Sequence, residues 1–189
     1  MLRRTRPGQV RPVYEMFVKR YPTPAALARA KDADLYPLLA PLGLRWRARN
    51  IVAVAQELRQ VPAPEFGNPA ALKELTGVGE YVANAVRIMA FNRRAMVIDT
   101  NVIRVLGRYW GFRVHPEARR DQRFRELAGV CVPTSDPKSY TLALLDLGAM
   151  ICTPQQPHCG ECPLELSCEF AKATSSGTGR RRKVGVRVA

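Results

Sequence analysis

Four cysteines, Cys152, Cys159, Cys162 and Cys168, fall within seventeen residues and are separated by six, two and five residues. A segment this short can wrap four thiolates around one inorganic centre, and thiolates are the ligands that iron–sulfur and zinc sites take. Disulfides fit poorly: the chain has five cysteines, an odd number, and no apolar leader at its start. Zinc is the stronger rival, because Cys159-Gly-Glu-Cys162 is a CxxC knuckle. Zinc sites usually pair two knuckles across a longer segment, whereas here one knuckle is flanked by lone cysteines. An iron–sulfur cluster is therefore the preferred reading. Cys131 stands apart on the apolar stretch 127–132 and is expected to be a small buried hydrophobe.

The chain is 189 residues long, enough for one substantial core or two small lobes, and at 47% hydrophobic residues it is globular. No apolar run is long enough to span a bilayer, so the expected compartment is a reducing cytoplasm. The formal net charge is +14, with 24 Arg against 6 Lys. A four-thiolate cluster would lower that by only ~2. An excess of this size points to a polyanion such as nucleic acid, although an Arg-rich composition can also reflect a GC-rich genome.

The pattern is helical almost throughout. Val10, Val13, Tyr14, Phe17 and Val18 form an apolar stripe that ends near Tyr21-Pro22. Thr23-Pro24 and Asn68-Pro69 each place a capping side chain before a proline at the first helical position. Asp32 is expected to cap a short helix. Further helices are expected at 46–60, 70–75, 80–91, 100–110, 117–131 and 138–151. From Thr174 onward the chain turns polar and Gly-rich and then basic at 180–183, which reads as a flexible end whose charge either is merely solvated or attracts phosphate.

Between the helices predicted at 70–75 and 80–91, Leu72-Lys-Glu-Leu75-Thr-Gly77-Val-Gly79-Glu-Tyr81 forms a hairpin turn. Glycine permits positive φ and close backbone approach, so successive N–H groups and the start of the next helix can face an anion. An isolated GxG also suits an ordinary tight turn. The flanking Leu72, Leu75, Val82 and Ala83 favour a phosphate-gripping hairpin, because they pack the two helices and leave Val78 at the tip.

Three ordered segments, LTGVGEYVANAV from Leu75, VIDTNVIRVLGRYWG from Val97 and LLDLGAMICTPQQPHCGECPLELSC from Leu144, resemble the helix-hairpin-helix DNA glycosylases that carry a 4Fe-4S loop. That superfamily includes endonuclease III, the adenine glycosylases and the thymine/uracil mismatch glycosylases. The likeness covers residues 1 to about 170. It implies an all-α protein of two helical lobes with a DNA-binding cleft between them: 1–93 with the hairpin at 75–81, 94–170 with the cluster loop at 152–168, then a basic tail over 171–189. It also implies a 4Fe-4S cofactor on the four cysteines. The implied partner is double-stranded DNA with a mismatched or deaminated base, bound by a monomer in a prokaryotic cytoplasm near the nucleoid.

Residue by residue, the resemblance puts Tyr81 where bifunctional members carry the lysine that attacks the sugar. A phenol cannot form that imine, so base removal without efficient strand cleavage is expected. Lys73 lies before the hairpin and should not substitute, and Tyr81 also suits simple packing on its helix. Tyrosine at this position resembles the thymine mismatch branch. Asp99 matches the catalytic aspartate, able to stabilise an oxocarbenium-like transition state and to position or activate water. Alone it would read as an N-cap, and it can be both. Gly77, Val78 and Gly79 match the DNA-binding turn. Arg4 and Leu44 match wedge positions that fill the hole left by a flipped base, and Arg45, Arg47 and Arg49 suit phosphate.

The family's upstream segment, which completes the cluster lobe and in adenine enzymes bears a glutamate, has no counterpart before Met1: either the recorded start is late or that helix is lost. Nothing after residue 170 matches the domain by which adenine glycosylases recognise 8-oxoguanine. The expected activity is therefore removal of thymine or uracil opposite guanine. Adenine removal from A·G or A·8-oxoguanine mispairs is the alternative within the class, and a noncatalytic DNA-binding iron–sulfur protein the alternative outside it.

Overall fold

In the computed structural model the described residues are 7–43, 45–62, 66–112, 115 and 117–175, with side chains undescribed at Pro7, Arg45, Trp46 and Arg47. They contain no strand and ten α-helices: α1 Pro7–Arg20, α2 Pro24–Leu27, α3 Asp32–Leu39, α4 Arg45–Leu58, α5 Pro69–Lys73, α6 Glu80–Phe91, α7 Thr100–Trp110, α8 Gln122–Val130, α9 Pro137–Asp146 and α10 Glu169–Ser175. No described helix is long and apolar enough to cross a membrane.

The start signals work largely as the sequence predicts. Thr23 accepts a hydrogen bond from the Ala26 N–H at 3.1 Å, and Asn68 accepts one from Ala70 at 3.0 Å, each followed by a proline. Asp32 differs. The cap position of α3 belongs to Lys31, and Asp32 lies in the first turn, where its charge faces the positive end of the helix dipole. The stretch predicted as one helix at 117–131 divides into a 3₁₀ turn at Ala118–Arg120 and α8, because Asp121 adopts extended backbone and caps α8 through the Phe124 N–H at 3.0 Å.

The chain divides into two units, Met1–Ala83 and Asn84–Ala189. In the first, α1 and α3 close on a core of Val10, Val13, Leu35, Leu39, Leu42 and Ala48, with Phe17 and Ile51 packed against it, and α4 lies along α2 and α3. The division falls inside α6, ten residues earlier than the predicted 93/94 boundary. After Ala83 the helix turns its polar side chains to the strap that follows it: Asn84 donates to the Met96 carbonyl at 2.9 Å and Arg87 to the Arg94 carbonyl at 3.1 Å.

In the second unit, α7 is the central element. Val102, Ile103, Val105 and Leu106 on one side of it meet Phe124 and Ala128 of α8 and Leu144 of α9. Trp110 stands edge-on to Phe124 at 6.3 Å. Gly111, at φ 73°, ends the helix in the left-handed conformation that glycine adopts most readily. The predicted tail begins too early: residues 171–175 belong to α10, which packs on α7 with Ala171 buried. Residues 176–189 lie outside the described set.

The helix predicted at 138–151 is α9 followed by one π turn, Leu147–Ile151, that lies against α7. Gly148 makes this approach possible. A Cβ built there would stand 2.8 Å from the Asn101 Cβ and 3.3 Å from Val105 Cγ2. Gly148→Ala should therefore cost about 1–3 kcal/mol by overpacking, read as a lower urea midpoint. Gly129→Ala, on α8 where an added Cβ meets nothing within 4 Å, should be neutral or stabilising by up to about 1 kcal/mol. Equal losses for both variants would contradict the packing described.

Candidate functional site

The hairpin belongs to the first unit. Leu72 and Leu75 are buried, and the chain turns at Gly77, whose φ of 72° explains why glycine stands there. The Val78 N–H donates to the Leu75 carbonyl at 3.0 Å. The N–H groups of Gly77 and Gly79 take no hydrogen-bond partner among the described residues, which leaves two backbone donors flanking Val78. This is the donor arrangement that anions use at a turn feeding a helix N-terminus. Tyr81 lies in the first turn of α6 and is 46% exposed. Lys73 ends α5 and is exposed. Arg4 and Leu44 lie outside the described residues, as does the side chain of Arg47. Arg49 is exposed and donates to the Tyr36 hydroxyl at 2.8 Å.

Asp99 belongs to the second unit and is the N-cap of α7. Its Oδ1 accepts from the Val102 N–H at 2.8 Å, and its Oδ2 from the Asn101 amide at 3.3 Å. The capping role anticipated for it is thus real. It fixes a half-buried carboxylate at the start of the helix whose other groups hold the cysteine loop.

That hold rests on two arginines four residues apart, which sequence reasoning missed. Arg104 donates from Nη2 to the Asn101 Oδ1 at 2.8 Å and to the Gly148 carbonyl at 2.6 Å, and from Nε to the Cys152 carbonyl at 2.8 Å. Burial pushes its guanidinium below its ordinary pKa, opposed by Cys152 and Asp99. Arg108 donates to the Thr153 and Pro154 carbonyls at 2.7 and 2.8 Å and to the Cys152 sulfur at 3.4 Å. Its guanidinium stands 4.7 Å from the centre of the Phe170 ring. A signal exists in the chain: an Arg-x₃-Arg pair on a strongly amphipathic helix must send both side chains to one side.

Cys152, Cys159, Cys162 and Cys168 all line one pocket, walled by apolar side chains including Val105, Leu147, Ile151 and Phe170. Each closes or opens a tight turn: Cys152 follows the π turn, Cys159 begins the 3₁₀ turn Cys159–Glu161 that Cys162 ends, and Cys168 ends the 3₁₀ turn Glu165–Ser167. Burial pushes the Cys159 thiol up, reinforced by Cys168, Cys152 and Cys162 and opposed by Arg108. Among the described residues no three His, Cys, Asp or Glu side chains are near enough to one another to hold a metal ion. The four thiols share one cavity. Cys131 is not the buried hydrophobe expected. It is exposed, because α8 ends there and Leu127 and Val130 also face outward at 44% and 75% exposure. Asp146 is exposed at the end of α9, a surface carboxylate. His115 and His158 sit in loops.

Comparison with known proteins agrees with this architecture. Residues 1–130 match the HhH-GPD superfamily of base excision DNA repair proteins. A thymine-DNA glycosylase of Aeropyrum pernix is 35% identical over 180 residues, spanning 90% of this chain and 78% of that protein. A thymine/uracil-DNA glycosylase of Methanothermobacter thermautotrophicus is 29% identical over 93% of this chain and 80% of its own length. An adenine DNA glycosylase of Mycolicibacterium smegmatis is 33% identical, but the chain spans 62% of it. Among solved structures, a thermostable thymine-DNA glycosylase superposes with a TM-score of 0.80 at 29% identity, covering 91% of this chain and 80% of that one. With its family matched over residues 1–130, and with helices, hairpin turn and capping aspartate following one another as that architecture requires, the chain belongs to the HhH-GPD superfamily of base excision DNA repair proteins.

Proposed function

We propose that this protein is a monofunctional DNA glycosylase that hydrolyses the N-glycosidic bond of thymine or uracil mispaired with guanine. The observation that carries the reading is the likeness to thymine and thymine/uracil glycosylases along most of their length. Tyr81 supports it at the position where a strand-cleaving member has lysine. Adenine removal stays as the second reading, because adenine glycosylases match at 31–33% identity.

The chemistry follows from the residues. A target base inside a duplex must be flipped out of the stack before any side chain reaches its sugar. As the bond from C1′ to the base nitrogen lengthens, positive charge grows on the sugar, and the Asp99 carboxylate is suited to stabilise it electrostatically. Water adds at C1′, its proton passes to Asp99 or to solvent, and the base leaves as a resonance-stabilised anion. Thymine and uracil leave in this way more readily than adenine, so protonation of the leaving base matters less. Tyr81 offers a phenol in place of an amine, so the product is an abasic site in an uncut strand. The backbone donors of Gly77 and Gly79, beside Val78, suit a phosphate of the strand, as do Arg49 and, on the sequence reading, Arg47, while Arg4 and Leu44 keep the wedge role of filling the hole left by the flipped base.

The same reading gives the four cysteines a 4Fe-4S cluster. Four cysteines that line one pocket, with the single knuckle Cys159–Cys162 flanked by lone cysteines, would suit a thiolate-bound iron–sulfur group better than a zinc site, which usually pairs two knuckles. When bound, the cluster supplies a rigid clasp for the loop at 152–168. Arg104 and Arg108 keep the loop's carbonyls and the Cys152 sulfur in place from α7.

Duplexes carrying G·T, G·U, A·G and A·8-oxoguanine test the activity. Breaks at T or U only after alkali are expected; release of adenine alone would overturn the substrate assignment, and no release from any duplex would favour the noncatalytic reading. Strand breaks without alkali, trapped by borohydride, would refute the role of Tyr81. Asp99→Asn should lower G·T turnover about 10²–10⁴-fold. Since asparagine caps a helix as well as aspartate does, the variant should melt with the native protein, and full activity in it would remove Asp99 from catalysis. Purified protein should be brown, with broad visible absorption and about four iron atoms per chain. A colourless protein with stoichiometric zinc would contradict the cluster.

A further inference from the structure

The hairpin rests on a contact that its own sequence does not reveal. Thr76, the residue before Gly77, gives both of its donors to one carboxylate. Its N–H donates to Glu57 Oε2 at 2.7 Å and its hydroxyl to Oε1 at 2.5 Å. Glu57 lies in the last turn of α4, seven residues beyond Asn50, so the two stand on the same face of that helix. Asn50 also reaches the turn: a Cβ at Gly77 would lie 3.1 Å from its Nδ2. The Thr76 hydroxyl holds the Glu57 carboxyl below the usual carboxylate range, and the Thr76 N–H adds to the effect.

The donors of the turn therefore have distinct assignments. The Thr76 N–H belongs to Glu57 and the Val78 N–H to the Leu75 carbonyl. Those of Gly77 and Gly79 are left for an outside acceptor. We infer that Glu57 is a positioning residue for DNA binding: by clamping Thr76 from α4 it preforms the hairpin turn so that the Gly77 and Gly79 N–H groups await a phosphate oxygen. The inference rests on the hairpin gripping duplex DNA, as proposed above. Its physical gain is preorganisation, because a turn already held in its bound shape loses little freedom when phosphate arrives.

A carboxylate beside a polyanion site has a second, opposite expectation. If Glu57 were only a surface charge near DNA, removing it would tighten binding, since phosphate affinity is governed by net charge. A clamp predicts the reverse sign.

The test is the affinity of the full chain for an undamaged duplex of fixed length at fixed salt, read by fluorescence anisotropy, with a thermal melt for each variant. Glu57→Ala should weaken binding about tenfold. Glu57→Gln, which keeps one acceptor oxygen for the turn, should fall between it and the native chain. Thr76→Ser, which keeps both donors, should bind as the native chain does, and Thr76→Val should weaken binding. Thr76→Val added to Glu57→Ala should cost little more, because the two act through one contact. Binding unchanged or tighter in Glu57→Ala would overturn the clamp. So would weakening of Thr76→Ser together with the rest in step with lowered melting temperatures, which would make the contact one of general folding. If the native chain binds no duplex, it is the DNA reading that fails; if it binds and Glu57→Ala binds equally, the clamp alone fails.

Discussion

Helix α7 carries the second unit because it is satisfied on every side by a different kind of interaction. Its start is closed by the Asp99 carboxylate, and its apolar face makes the core with α8 and α9. Its polar face sends Arg104 and Arg108 into the loop that bears the cysteines. The arginines satisfy groups that a hydrophobic contact cannot. The carbonyls of Cys152, Thr153 and Pro154 lie beyond the end of the π turn, and a guanidinium offers five donors in a fixed fork to meet them and the Gly148 carbonyl. A loop whose regular structure is limited to two 3₁₀ turns is thereby anchored at its start, with Gly148 allowing the close approach that the short bonds need.

This explains how one helix can serve two chemistries. The carboxylate that caps α7 shares Asn101 with Arg104, and Arg104 in turn holds the carbonyl of the first cysteine. The candidate reacting group and the cysteine loop are thus fixed to the same rigid element by charge-assisted hydrogen bonds, which tolerate less displacement than apolar contacts do. In the first unit α4 plays the corresponding part for the hairpin, through Glu57 and Asn50. In each unit a helix behind the candidate turn or loop supplies the rigidity.

What the sequence reveals and what it hides divide along physical lines. Cysteine spacing, the paired glycines, the caps at Thr23 and Asn68 and the amphipathic stripes are local, and each is legible from neighbouring residues alone. Asp99 is legible as a cap from its position and as a reacting group only from the family pattern. Arg104, Arg108 and Glu57 are not, because their roles depend on which loop or turn the fold lays against their helix face. The unit boundary is misplaced for the same reason: α6 is continuous in sequence, and only the hydrogen bonds of Asn84 and Arg87 show where its allegiance changes. The exposure of Cys131 also escapes the pattern, since an apolar stretch at a helix end need not be turned inward.

The central claim, that α7 fixes the carboxylate and the cysteine loop as one body, is most directly tested by amide hydrogen exchange in Arg104→Leu. The claim predicts faster exchange at the Val102 amide capped by Asp99 and at the Cys152 and His158 amides bonded to the Leu147 and Ile151 carbonyls, with the amides of α4 unchanged. Exchange altered only beside residue 104, or raised uniformly through both units, would contradict it.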